Sequence, residues 1–144
     1  MILDSQNIYS DSQAVTASAG STNSIDHGIA RDLGTGQRLY LVVAVTVAFT
    51  DAGSDSTVTA TLETDNDTAF GSPTLAVLSL PVFAALSAIG ATRIGVLPPV
   101  YVNERYSRVY YTVAGGNLTT GSFDAFLVQD IQQFVAYADA VTIS

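Results

Sequence analysis

The chain "RLYLVVAVTVAFT", residues 38–50, alternates with a period of two. Leu39, Leu41, Val43, Val45, Val47 and Phe49 fall on one side of an extended chain, and Tyr40, Val42, Ala44, Thr46, Ala48 and Thr50 on the other. Its β-branched content predicts a strand buried on one face and half-covered on the other. After the turn-like "DAGSDS", Val58, Ala60 and Leu62 alternate with Thr57, Thr59, Thr61 and Glu63, so the two runs read as an antiparallel hairpin.

The same grammar returns in "SRVYYTV", "AGGN" and "LTTGSFDAFLVQD": strand, glycine-rich turn, strand. Val109, Tyr111 and Val113 share one face, and Phe123, Ala125 and Leu127 share one face of the next strand. Pro98 and Pro99 interrupt pairing between "TRIGVL" and "VYVNERY" and belong in a loop or at an edge. "QAVTASA" and "FVAYADAVTIS" are weaker strand candidates. One stretch suggests a short helix, "PVFAALSAIG", where Val82, Phe83, Leu86 and Ile89 have helical spacing and Gly90 could end it.

Many strands, glycine-rich turns and at most one short helix predict an all-β fold, an antiparallel β-sandwich or jelly roll, as a single domain over residues 1–144. No charged residue occurs between Asp67 and Arg93, which is long enough to cross a bilayer. Pro73, Pro81, Ser79, Ser87 and Gly71 break the interval, so no membrane span is expected.

Charge narrows the functional classes. Thirteen acidic residues against five arginines give −8, the opposite of the clustered cations that a phosphate backbone demands, so nucleic acid is not an expected partner. Only 12% of residues are charged while 48% are hydrophobic, a balance suited to a surface that is partly covered in the working state. Cysteine is absent, so stability rests on packing and hydrogen bonds.

Catalytic and metal chemistry find little support. His27 is the only histidine, and adjacent Asp26 and nearby Ser24 on one loop rarely align as a triad; a loop histidine bonded locally or to solvent is the expectation. Asp65, Asn66 and Asp67 in "ETDNDTAFGS" lack the spacing of a calcium loop and read as turn residues capping their own backbone. "GTG" at residues 34–36 is a turn rather than a dinucleotide loop. No cofactor and no metal site is expected.

Two stretches are candidates for contact with a partner. "YVNERYSRVYY" concentrates Tyr101, Tyr106, Tyr110 and Tyr111 with Arg105 and Arg108, residue types that dominate interface hot spots. The competing reading is a strand whose tyrosines edge the core and whose arginines pair with nearby carboxylates. The N-terminal "MILDSQNIYSDS" does not read as a secretory signal, since Asp4, Gln6, Asn7 and Asp11 fall where an apolar run is expected. Residues 1–12, with Ile2, Leu3, Ile8 and Tyr9, form either an arm that orders on a partner or a first strand of the chain's own sheet.

Read in order, "MILDSQNIYSDSQAVTASAGSTNSIDHG", "ARDLGTGQRLYLVVAVTVAFTDAG", "LETDNDTAFGSPT" and "RYSRVYYTVAGGNLTTGSFDAFLVQD" resemble the short capsid cement, or decoration, proteins of tailed bacteriophages. The resemblance covers the chain from its first residue to about residue 130. It implies a jelly-roll-like fold, no enzymatic activity, production in the host cytoplasm, and a place on the outside of an icosahedral head. The implied partners are the major capsid protein and further copies of the chain, as dimers or alternatively trimers, bridging neighbouring capsomers. A carbohydrate-binding or fibre-type module that stacks sugars on exposed tyrosines is the competing reading.

Overall fold

The computed structural model describes residues 4–29, 38–97, 104–129 and 131. Nine strands carry the fold: β1 (Ile8–Ala14), β2 (Ala19–Gly20), β3 (Ile25–Asp26), β4 (Tyr40–Asp51), β5 (Thr57–Asp65), β6 (Thr74–Ser79), β7 (Thr92–Val96), β8 (Tyr106–Ala114) and β9 (Leu118–Val128). They form two antiparallel sheets. Sheet A has the order β1-β9-β4-β7, and sheet B the order β2-β8-β5-β6, with β3 also paired to β8. With β2 and β3 taken as one interrupted strand, every link between successive strands crosses from one sheet to the other except β5–β6, the pattern of an eight-stranded jelly roll.

Alternation along each strand builds the core between the sheets. Leu41, Val43, Val45 and Phe49 of β4, Val58, Ala60 and Leu62 of β5, Val109 and Tyr111 of β8, and Phe123 and Ala125 of β9 are all buried there. Phe123 sits at the centre, 5.3 Å from the Tyr111 ring and 5.6 Å from that of Phe83. Val47 breaks the expected row and is exposed, because register shifts on either side of it turn that residue outward and return Phe49 to the core. Gly121 stands where β9 passes Phe49; its φ of +153° and the 2.6 Å from an added Cβ to Phe49 Cβ leave room for no side chain.

The two expected hairpins do not form. β4 pairs with β7 and β9 while β5 pairs with β6 and β8, so the β4–β5 and β8–β9 links are crossovers from one sheet to the other. A hairpin would have placed both apolar rows on the same side of one sheet; the crossover sets them face to face. The two links brace each other, with Ser56 Oγ donating to the Gly116 carbonyl at 3.0 Å.

The expected helix over "PVFAALSAIG" is also absent. Phe83 makes a β-bridge to Val58, with hydrogen bonds of 2.8 and 3.2 Å, and buries its ring in the core. Leu86 at φ +59° and Gly90 at φ +87° then bend the chain through turns, since one anchored aromatic outweighs weak local helix preference. The only helical turn among the described residues is a 3₁₀ turn over Ser5–Asn7, capped by Asp4. Among the described residues no helix is long and apolar enough to cross a membrane.

The N-terminal segment resolves in favour of a strand from Ile8 onward. β1 pairs with β9, and Tyr9 is wholly buried, its hydroxyl 2.7 Å from Ser107 Oγ across the sandwich. Ile2 and Leu3 lie outside the described residues, as do residues 34–36, 98–101 and 132–144.

Candidate functional site

Each sheet has an outward face, and the two differ in chemistry. On sheet B, β5 and β8 run in unbroken register from Thr57 opposite Ala114 to Asp65 opposite Tyr106. Period two therefore sends Thr57, Thr59, Thr61 and Glu63 outward beside Tyr106, Arg108, Tyr110 and Thr112. Arg108 stands opposite Glu63, and its guanidinium donates to the carboxylate at 3.1 Å while stacking over Phe70 at 4.3 Å and Tyr110 at 5.4 Å. Arg105 grips Asp26 of β3 with two hydrogen bonds of 2.8 Å and covers the Tyr106 ring at 5.0 Å. Those bonds, with one from Gly28 N–H, hold the Asp26 carboxyl down to about 2.

Arg105, Tyr106, Arg108 and Tyr110 are thus brought together on one surface, each arginine with a carboxylate partner within the chain, whereas Tyr111 alternates inward and is buried in the core. Tyr101 lies outside the described residues. Asp65 accepts from Asp67 N–H and Ser72 N–H, and Asp67 from Ala69 N–H, so that loop caps its own backbone. No group of three or more His, Cys, Asp or Glu that could hold a metal ion occurs among the described residues.

Behind this face runs a buried polar relay. Ser107 Oγ lies 2.7 Å from Tyr9 Oη and 2.8 Å from His27 Nε2, and Tyr111 Oη donates to Ser10 Oγ at 2.9 Å. Burial pushes both phenols well above the ordinary tyrosine range. His27 Nε2 reaches Ser107, a residue 80 positions away, while also lying close enough to Asp26 to act on its charge. Ser107 is fully buried, its hydroxyl shared between Tyr9 and His27. The relay ties β1 and β3 to β8.

Sheet A is the opposite case. Ile8, Phe126, Val42 and Ile94 stand in register across all four strands, and Val128, Tyr40 and Val96 form a second row beside them. Both rows face away from the core. Val42, Phe126 and Val128 are buried there, with Ile8, Tyr40 and Ile131 packed against them. At the β7 edge, Ile94 and Val96 remain 42% and 48% exposed. Val82, Leu86 and Ile89 of the preceding loop are exposed too, so among the described residues five of the seven large exposed apolar residues lie within residues 82–96. That segment has no carboxylate, and Arg93, its one charge, is turned back over Phe83 at 4.8 Å and onto the Val82 carbonyl.

Sequence reasoning passed over this patch. The signal was in "TRIGV": Gly95 takes the inward position, where an added Cβ would strike Leu80 and Leu78 at 2.5 and 2.7 Å, leaving the large residues Ile94 and Val96 for the outside.

The fold is an antiparallel β-sandwich with one self-paired polar outward face and one apolar outward face. A family model described as Bbp16 matches residues 9–127, most of the chain, and the protein belongs to that family. No curated protein matches the chain.

Proposed function

We propose that this protein is a structural decoration, or cement, protein that binds the outside of a tailed-phage head and bridges neighbouring capsomers of the major capsid protein, as a dimer or alternatively a trimer. The observation that carries the reading is the carboxylate-free cluster of Val82, Leu86, Ile89, Ile94 and Val96 on and beside edge strand β7. Exposed apolar side chains gathered on a sheet edge favour a macromolecular partner. The ordered likeness to cement proteins from the first residue to about residue 130 supplies the partner's identity. Modest contacts suffice, because an oligomer that holds several subunits gains avidity.

The sugar-stacking alternative loses support at Tyr106 and Tyr110, since arginine guanidinium groups lie over both rings. The test is co-sedimentation with capsids that lack the protein. Wild type should co-sediment, and Ile94→Asp with Val96→Asp should weaken binding at least tenfold while the fold persists. Absence of wild-type binding, or binding unaffected by both substitutions, would overturn the reading.

A further inference from the structure

Strand β7 ends sheet A, and among the described residues it pairs only with β4. That pairing fixes which way its backbone groups point. Val45 N–H donates to the Ala91 carbonyl and Leu97 N–H to the Leu39 carbonyl, so the odd-numbered residues turn their N–H and C=O groups toward β4. Those of Thr92, Ile94 and Val96 therefore point along the free edge. Such an edge is a template for another strand unless the chain blunts it, and an inward charge is one way of doing so. Arg93 is that inward charge, but its guanidinium is engaged within the chain, over the Phe83 ring and on the Val82 and Thr92 carbonyls. The Thr92 carbonyl keeps a second lone pair for an edge bond.

The antiparallel registers that would set β7 against its own copy about a two-fold axis are unequal. Centred on Arg93, they place two guanidinium side chains directly opposite each other, which is destabilising. Centred on Gly95, they set Thr92 against Pro98, which has no N–H to give. Centred on Ile94, Thr92 and Val96 of one copy meet Val96 and Thr92 of the other, about six N–H···O bonds satisfy the edge, and each Arg93 stands opposite a glycine.

We propose that a second copy of the chain adds its β7 antiparallel to this edge, centred on Ile94, so that two four-stranded A sheets join as one. The inference rests on the self-association in the reading above and gives it a two-fold symmetry and a register. The row of Ile8, Phe126, Val42 and Ile94 then runs on into the same row of the second copy. The backbone edge holds the copy, while the outward side chains of Ile94 and Val96 remain for the capsid.

Ile94→Pro removes an outward N–H and leaves the bonds to β4 in place, a substitution that an edge strand accepts on its free side. Sedimentation of the isolated full chain should show a dimer at micromolar concentration. Ile94→Pro should raise its dissociation constant at least tenfold with the far-ultraviolet circular dichroism unchanged. The chain has no cysteine, so introduced ones read the register separately. Ile94→Cys alone, and Thr92→Cys with Val96→Cys together, should form interchain disulfides at least tenfold faster than Val96→Cys alone. Should Ile94→Pro unfold, the cysteine series decides. A monomeric or trimeric wild type, an undiminished dimer of folded Ile94→Pro, or equal cross-linking in the three cysteine variants would overturn the proposal. A monomer that still co-sediments with capsids would overturn it while sparing the capsid reading; a dimer that fails to co-sediment would do the reverse.

Discussion

The outward faces of sheets A and B come from the same period-two pattern and do opposite things. On sheet B the outward positions of β5 and β8 hold threonines, tyrosines and the Arg108–Glu63 pair, and Arg105, just before β8, pairs with Asp26 of β3, so both arginines are neutralised within the chain. On sheet A the matching positions of β9, β4 and β7 hold Phe126, Val42, Ile94, Val128, Tyr40 and Val96. Polar groups on an outward face can satisfy one another within the sheet, whereas apolar side chains there need cover from another layer. Residue types that favour interfaces therefore locate one less well than the question of which side chains still lack cover.

The largest break of this contrast comes from Phe126→Ala, which should cost about 3 kcal/mol if the sheet A face is truly covered. Thr59→Ala, at an outward position on sheet B, should stay within about 0.5 kcal/mol. Urea melts of the two variants measure the difference; equal effects would erase the distinction between the faces.

The buried phenols between the faces come next. Their ionisation is suppressed in the folded state, so the native protein holds protons that the unfolded chain releases near pH 10. Stability should be unaffected below that pH and fall as pH rises through it. Ultraviolet titration should show Tyr9 and Tyr111 ionising only with cooperative unfolding. Tyr111→Phe, which strips Ser10 of its buried donor, should cost about 1–2 kcal/mol.

Arg108→Ala should cost about 1 kcal/mol, since it removes a half-buried ion pair and the cover over Phe70. Glu63→Gln in the same background should add little, because the pair is already broken; thermal melts of the double-mutant cycle give the coupling. The smallest effect belongs to Arg105→Ala at the exposed pair, which should leave the melting midpoint nearly unchanged. Its signature is electrostatic. The Asp26 carboxyl, held near 2 in the wild type, should return towards an ordinary value near 3.9 by NMR titration, and the small stabilisation it lends at neutral pH is lost as pH falls through that window.

Strand identity and the choice of core face were legible in the chain because alternation over β4, β5, β8 and β9 is a local property: Leu41, Val43 and Val45, then Val58, Ala60 and Leu62, declare their side without reference to any other strand. Turn-capping by Asp65 and Asp67 was legible for the same reason. Pairing was not local. Nothing in "DAGSDS" or "AGGN" distinguishes a hairpin from a crossover, and only the need to set two apolar rows face to face sent β5 and β9 to the opposite sheets. The helical spacing of "PVFAALSAIG" yielded to one distant bridge between Phe83 and Val58. The candidate surfaces divided likewise. The tyrosines and arginines between residues 105 and 110 were visible as a run, but whether their charges were free depended on Asp26 and Glu63, brought beside them by β3 and β5. The stripe from Ile8 through Phe126 and Val42 to Ile94 draws one residue from each of four strands, so it exists only once their registers are set. Composition and period determined which side chains seek burial; tertiary register decided which of them find it inside the chain, because burial is a property of neighbours that sequence order does not specify.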